Sequence, residues 1–136
     1  MKRIIFALLL TAVLASCSPM RYTVRTRGGD YTRETPVAVI PFFDASKYGT
    51  DELYKQLEKY DFDVVTYYNK RKGDEYVLEI TCELEPDTSN TYSSFTASLA
   101  DGKSGRILLR GTQRSPRDAR DTMRDLVRKM SQIIKK

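Results

Sequence analysis

Two neighbouring segments in which apolar and polar residues alternate place the strongest constraint on the fold. They span residues 75–85 and 91–100, and the loop Asp-Gly-Lys-Ser-Gly at 101–105 leads from them to an apolar run at 107–109. A period of two is typical of a strand with one face on a core, and the loop supplies the positive-φ positions of a hairpin. The sequence therefore predicts three successive strands. The apolar positions of the first two are Tyr76, Leu78, Ile80, Cys82, Leu84, Phe95, Ala97 and Leu99, with Tyr92 on the opposite face.

The last part of the chain predicts an amphipathic helix. Ser115 is the expected N-cap, Pro116 takes the first helical position and Asp118 adds a carboxylate to the first turn. The apolar residues that follow recur at helical spacing and form one stripe, which is typical of a helix lying on a sheet. The stripe consists of Ala119, Met123, Leu126, Val127, Met130, Ile133 and Ile134.

Residues 37–68 predict a strand, a helix and a second strand. Residues 37–40 are apolar on both faces and lie between prolines, which favours a central strand or one with a parallel neighbour. A helix is expected from the cap Thr50 to Tyr60, and residues 62–68 form the next strand. A right-handed crossover makes these two strands parallel. The apolar positions of the helix are Leu53, Tyr54, Leu57 and Tyr60.

Together these segments predict an α+β fold, an α/β arrangement of two layers. The element order is β-α-β-β-β-β-α, the sheet is mixed, and both helices lie on one of its faces.

The first 16 residues have the layout of a secretory signal peptide. Lys2 and Arg3 are positive, and an apolar run follows at 4–13, closed by small residues. The run has about half of the ~20 apolar residues that a helix needs to cross a bilayer. We therefore expect residues 1–16 to direct export and then to be removed.

The cleavage region, Leu14-Ala15-Ser16-Cys17, resembles the lipobox of bacterial lipoproteins. The resemblance implies that Cys17 is acylated, becomes the first mature residue and holds the protein to a membrane. Such an anchor is durable because each buried methylene contributes ~0.8 kcal/mol. Ser18 resembles the residue typical of outer-membrane sorting, so we expect an outer-membrane anchor and a periplasm-facing domain. The alternative is plain secretion of a free protein.

The rest of the chain is long enough for one domain. Residues 17–35 contain few large apolar side chains and predict the lipidated cysteine and a tether, in which 22–25 could add a short edge strand. Residues 36–136 then form the single α/β domain. A flexible tether of this length would let the domain stand away from the membrane.

The net charge does not indicate a nucleic-acid partner, and the cysteine content does not indicate an intrachain disulfide. The formal net charge is +5, but Lys2 and Arg3 leave with the signal peptide, so a nucleic-acid partner is not indicated. Of the two cysteines, Cys17 is assigned to lipid, which leaves Cys82 without an intrachain disulfide partner. Cys82 lies on the apolar face of its strand and is expected to be a buried, inert thiol.

The sequence contains no histidine, which removes the commonest general base and most zinc sites. Close carboxylates could still bind a hard cation or serve in acid/base chemistry. Their positions in charged turns and on a polar strand face favour simple solvation. We therefore expect no enzyme, cofactor or metal, and keep a carboxylate-dependent hydrolase as an alternative. The carboxylates are Asp61/Asp63, Asp74/Glu75 and Glu79/Glu83/Glu85.

Two groups of residues are candidates for binding a partner. The first is a row of arginines beside the apolar stripe of the last helix, and the second is a pair of adjacent tyrosines. Aspartates flank the arginines at helical spacing, with Arg117/Asp121, Asp121/Arg124 and Asp125/Lys129 as the expected pairs, so a self-paired surface is favoured. The candidates are Arg117, Arg120, Arg124, Arg128, Tyr67 and Tyr68.

Several segments together resemble small envelope lipoproteins with a TolB-N-terminal-like α/β domain, a group that includes the lipoprotein activator of penicillin-binding proteins. The resemblance rests on residues 37–42, 76–80 and 99–105 and on the last helix. It implies a non-catalytic lipoprotein that binds or helps to assemble another envelope component, either a protein or the cell wall. A structural subunit that associates with its own copies is the alternative.

Overall fold

The computed structural model describes residues 20–25, 31–44, 46, 48–67, 77–88 and 90–135. Within these ranges, seven strands and two helices form an α+β fold, which confirms the predicted class. The strands are β1 (Arg21–Val24), β2 (Val37–Val39), β3 (Val64–Val65), β4 (Leu78–Thr88), β5 (Thr91–Asp101), β6 (Ile107–Gln113) and β7 (Arg117–Asp118). The helices are α1 (Gly49–Lys59) and α2 (Ala119–Ile133).

The strands form one mixed sheet in the order β1-β6-β5-β4-β2-β3, and β7 pairs with the start of β5. Strand β2 is parallel to β3, as the crossover predicted, and it is also parallel to β4, which was not predicted. The other pairs are antiparallel. The strand expected at 62–68 is shorter than predicted, because only Val64–Val65 pair with β2. Strand β7 was not predicted.

The core lies between one face of the sheet and the two helices. On the sheet, Ile80 and Cys82 of β4 pair with Leu99 and Ala97 of β5, and all four are buried, as is Leu78. The predicted stripe of α2 is buried at every position except Ile133, which is partly buried against the same core. The alternating apolar residues of the strands and the apolar stripe of α2 therefore supply the two sides of one core.

Tyr92 breaks the predicted alternation. The β4–β5 register passes from Glu85↔Ser94 to Pro86↔Tyr92, so one residue of β5 is skipped and the phase of the strand changes. Proline lacks the N–H that a regular ladder requires, which accounts for an irregularity at this place. Tyr92 and Phe95 consequently face the same core, with stacked rings whose centroids are 5.5 Å apart.

Helix α2 begins later than predicted. Asp118, rather than Ser115, is the N-cap, and its side chain accepts hydrogen bonds from the backbone N–H groups of Arg120 and Asp121. Proline at 116 therefore lies outside the helix. The reason is tertiary, because Arg117 and Asp118 are held extended by pairing with the start of β5.

Helix α1 begins at Gly49, and its N-cap Tyr48 makes no side-chain capping bond. The Thr50 hydroxyl, predicted as the cap, instead donates to Asp44. The Tyr92 hydroxyl reaches the same Asp44 carboxylate at 2.8 Å, and a Cβ at Gly49 would clash with that hydroxyl oxygen. Glycine is thus required where the helix start approaches β5.

The described part of the predicted tether packs on the domain. Strand β1 pairs with β6 at the edge of the sheet, in agreement with the suggested edge strand. Met20 before it is buried, and so is Tyr31, whose hydroxyl donates to Asp101 at 2.8 Å. The predicted division at residue 36 therefore separates residues that share one core.

Arg33 joins the ends of both helices. Its guanidinium donates to the carbonyl oxygen of Tyr60 at the end of α1 and to those of Ser131 and Ile134 at the end of α2. The same group lies 4.7 Å from the centroid of the Phe62 ring. Helix C-termini carry unpaired carbonyl groups and partial negative charge, and here one cation serves two of them.

Replacing Arg33 with methionine should lower the free energy of unfolding by about 2–3 kcal/mol, because three partly buried carbonyl groups lose a charged donor. Arg33→Lys should recover only part of the lost free energy of unfolding, since one ammonium group cannot bind all three carbonyl groups in the way that a planar guanidinium does. Urea denaturation measures both. Arg110→Met is the matched control, because Arg110 is exposed on β6. Equal stabilities of the Arg33→Met and Arg110→Met variants would contradict this role.

Candidate functional site

An open cleft of ≈ 750 Å³ lies between the two helices. The helices run in the same direction, since Arg33 joins their C-terminal ends and Arg124 of α2 reaches Glu52 near the start of α1. Parallel helices leave a continuous groove along their exposed sides. The cleft is lined by Lys55, Gln56, Lys59, Tyr60, Arg117, Asp121, Arg124, Asp125 and Arg128.

One buried carboxylate forms the floor of this cleft, and a second is bound by an arginine that lines the cleft. Asp125 is only 6% exposed and accepts hydrogen bonds from Arg117 Nη1 at 2.9 Å and Arg128 Nη2 at 2.7 Å. The other, Glu52, accepts from Arg124 Nε at 2.7 Å and from a neighbouring glutamine. Burial acts to raise the pKa of Glu52, but these hydrogen bonds outweigh burial and lower the pKa below its usual value.

The structure brings three of the four predicted arginines together. Arg117, Arg124 and Arg128 line the cleft, whereas Arg120 points away, with its guanidinium 5.1 Å from the Tyr48 ring centroid and 3.7 Å from Asp118. Sequence spacing alone placed all four on one helix face.

The aspartate partners also differ from those expected from helical spacing. The predicted Asp121/Arg124 pair is present at 3.5 Å. Arg117, which lies in β7 ahead of the helix, reaches Asp125 instead of Asp121. The expected partner of Asp125, Lys129, lies 5.7 Å from the centroid of the Tyr22 ring. Two of the three expected pairs are therefore absent. Arg117 lies in a strand rather than in the helix, and Lys129 contacts Tyr22 of the edge strand β1.

This arrangement can hold an anion. Each arginine carries five N–H donors and its bonds to carboxylates use one or two of them, so further donors remain on guanidinium groups already fixed in position. Lys55 and Lys59 add two cations from α1. Their spacing of four residues in the sequence indicates one basic face of α1. The sequence does not indicate that this face lies beside α2.

Asp61 and Asp63, a predicted pair of close carboxylates, lie in the turn that ends α1, and their backbone groups have structural roles there. Asp61 has φ 60° and lies just beyond α1, where its N–H bonds to Glu58 O and the N–H of Phe62 bonds to Leu57 O, both at 3.0 Å. This is a Schellman motif with aspartate in the left-handed position. The N–H of Asp63 continues the chain by donating to Arg33 O.

The remaining carboxylates do not converge in the part of the chain that the structure describes. No group of three or more potential metal ligands is found among these residues. Glu83 and Glu85 are exposed on the polar face of β4, and Glu79 is half-buried there. Asp74 and Glu75 lie outside the described residues.

The other candidate side chains divide between buried, exposed and undescribed positions. Cys82 is buried, and burial raises the pKa of its thiol to about 12, which matches the expected inert thiol. Tyr67 is 37% exposed beyond β3. Tyr68 and Cys17 lie outside the described residues.

The start of the chain matches a family model. The model is described as the prokaryotic membrane lipoprotein lipid attachment site, and it covers residues 1–18, which include Cys17. The chain carries the anchor site of a membrane lipoprotein. None of the described helices is long and apolar enough to cross a membrane.

The fold of the chain is similar to that of solved structures. A PelC dodecamer from Paraburkholderia phytofirmans has a TM-score of 0.56 at 14% identity, over 88% of this chain and 100% of that chain. A PelC dodecamer from the same organism with a single leucine-to-methionine substitution gives 0.51 at 14% identity, over 79% and 88%. At this identity the likeness concerns the fold alone. No curated protein matches the sequence.

Asp125→Asn should lower the free energy of unfolding by about 1–2 kcal/mol, because two charge-assisted hydrogen bonds become neutral ones. Asp121→Asn is the matched control, since Asp121 is exposed and its change should stay within about 0.5 kcal/mol. Thermal and urea unfolding of both variants provide the comparison. If Asp121→Asn destabilised the protein as much as Asp125→Asn, the described floor of the cleft would be wrong.

Asp61→Gly should be more stable than Asp61→Ala by about 1 kcal/mol, because glycine adopts a positive φ without strain. Both variants remove the carboxylate, so the difference reports the backbone alone. Chemical denaturation measures it. An alanine variant as stable as the glycine variant would exclude the left-handed position.

Proposed function

We propose that this lipoprotein is anchored in the outer membrane, faces the periplasm and acts without catalysis as a binding or assembly factor for another envelope component. The observation that carries the proposal is the lipid attachment site at residues 1–18, just ahead of the domain. A permanent anchor keeps a domain beside the same membrane. This favours a role that depends on contact with neighbours.

The chemistry of the candidate residues supports a non-catalytic role. The sequence has no histidine. Cys82 is buried with a raised pKa, which opposes its use as a nucleophile. Asp61 has a conformational role at the end of α1. The arginines of the cleft are paired with carboxylates, an arrangement better suited to recognition of an anionic group than to proton transfer.

Two features of the sequence support the proposed location and class. Ser18 directly after the lipidated cysteine resembles the outer-membrane default. The sequence segments 37–42 and 76–80 resemble those of TolB-N-terminal-like lipoproteins, and the proposal includes membership of that group. The contact surface proposed for an envelope protein or the cell wall is the cleft around Arg124.

A second candidate is a subunit that assembles with its own copies. The PelC structures with a similar fold are dodecamers. Within the described sheet, β1 and β3 are the outermost strands and pair on one side only. Such edges can pair with a second copy.

The anchor can be tested in cells with an alkyne fatty-acid probe. We expect the probe to label the protein, and Cys17→Ser to abolish both labelling and membrane fractionation, because the thioether needs the thiol. Cys82→Ser is the matched control and should leave both unchanged. Labelling that persists in Cys17→Ser would contradict the anchor.

The partner can be tested by photocrosslinking in the same cells, with a photoreactive residue at Arg124 in the cleft and at Lys103 in the hairpin loop as a control. Adducts with another envelope component at position 124, and not at 103, are expected. Adducts only with the chain itself would favour the second candidate. The absence of any adduct at 124 would contradict the proposed contact surface.

A further inference from the structure

The domain begins very close to its anchor. Met20 follows Cys17 by three residues, and a residue spans at most ~3.6 Å, so their Cα atoms lie within about 11 Å of each other in any conformation. Met20 is only 4% exposed and belongs to the core. The position of the start of β1 relative to the membrane is therefore set by a very short connection.

Contacts with the edge of the sheet fix Met20 to the domain. A Cβ at Gly111 of β6 would lie 2.5 Å from Met20 Cε, so glycine leaves the space that the methionine occupies. The hydroxyl of Tyr22 donates to Met20 Sδ at 3.6 Å. Tyr22 in turn pairs with Gly111 across the two strands. The segment nearest the lipid is therefore part of the folded edge.

Two arginines lie at this edge, and we call them the anchor corner: Arg21 and Arg114. Arg21 pairs with Thr112, two residues before Arg114, and β7 and the first turn of α2 follow directly. Arg21 and Arg114 are exposed and form no ion pair within the described part of the chain. They present two uncompensated charges beside the anchor.

The nearby acidic groups leave the corner positive. Asp125 binds Arg117 at 2.9 Å and Asp118 lies 3.7 Å from Arg120, so both carboxylates are paired with arginines outside the corner. Glu85 and Asp87 lie at the same end of the sheet but on β4, which is three strands from β1. At about 4.8 Å per strand, β4 is about 14 Å from β1 and about 10 Å from β6, which leads to Arg114, and both separations exceed the Debye length at physiological salt. Arg21 and Arg114 therefore keep uncompensated positive charge at the end of the sheet where the lipid is attached.

We infer that the anchor corner lies directly on the membrane that holds Cys17 and that its arginines bind the phosphates of anionic lipid headgroups. The inference rests on the proposed lipid anchor. Each basic residue near an anionic surface strengthens binding about fivefold. The hairpin loop at 101–105 then points away from the membrane, because β6 has 7 residues and spans about 23 Å.

The orientation can be measured on the full lipidated protein in vesicles of phosphatidylethanolamine and phosphatidylglycerol. A fluorophore is attached at Thr23→Cys, exposed on β1, or at Lys103→Cys in the distant loop, while buried Cys82 stays unlabelled. A nitroxide on the lipid headgroups should quench the fluorophore at position 23 several-fold more than that at 103. Equal quenching at both positions would overturn the inference.

The role of charge is tested with the Arg21→Gln/Arg114→Gln double variant carrying the probe at position 23. Its docking equilibrium in anionic vesicles should weaken about 25-fold. The control Lys103→Gln/Lys135→Gln removes the same charge elsewhere and should leave quenching unchanged. Docking that is equally strong in the arginine variant, or in vesicles of phosphatidylcholine alone, would contradict phosphate binding.

Failure of the anchor and failure of the corner give different results. A protein that does not sediment with vesicles lacks the anchor, which contradicts the proposed function. A protein that sediments but shows no difference between the probes keeps the anchor and loses the docking surface. Crosslinking of position 23 to a second copy, without quenching, would assign the corner to self-association and overturn the inference.

Discussion

The arrangement of the domain depends on how the carbonyl groups at the C-terminal ends of two parallel helices find hydrogen-bond donors at one place. Parallel packing brings unpaired carbonyls and two negative dipole ends together, which is unfavourable without a cation. Arg33 supplies that cation and binds carbonyl groups of both helices. Because the same residue stacks on Phe62 just beyond α1, the segment before β2 is held against the core. The cleft between the helices follows from this packing.

The cleft and the anchor corner use arginine in different ways. In the cleft, the buried carboxylates of Asp125 and Glu52 fix the guanidinium groups of α2 and β7, so much of the positive charge is compensated. At the corner, Arg21 and Arg114 have no such partner in the described residues. The first arrangement favours selective contact with a single anionic group, and the second favours a surface with many phosphates. A protein held by lipid can use both, one for orientation and one for its partner.

The local pattern of apolar and polar residues predicted most of the fold, because most strands and helices depend mainly on residues close together in the sequence. The alternation in β4 and β5, the loop at 101–105 and the stripe of α2 were all correctly assigned. The errors occur where distant segments intervene. Pairing with β5 extends Arg117 and Asp118 and delays α2, and the irregularity at Pro86 turns Tyr92 into the core. The arginine row was correctly located on α2, but Arg120 turns from it toward Tyr48, a contact that no spacing rule contains.

The sequence by itself determined the lipid attachment site and the class of fold, because the first depends on a short continuous segment and the second on regular periods of apolar residues. Only the tertiary structure decided that Met20, β1 and Arg33 belong to the domain. Their local sequence is polar and resembles a tether. Its order comes from strand pairing with β6 and from hydrogen bonds to the carbonyl groups of two remote helices, and neither partner can be recognised from the segment itself.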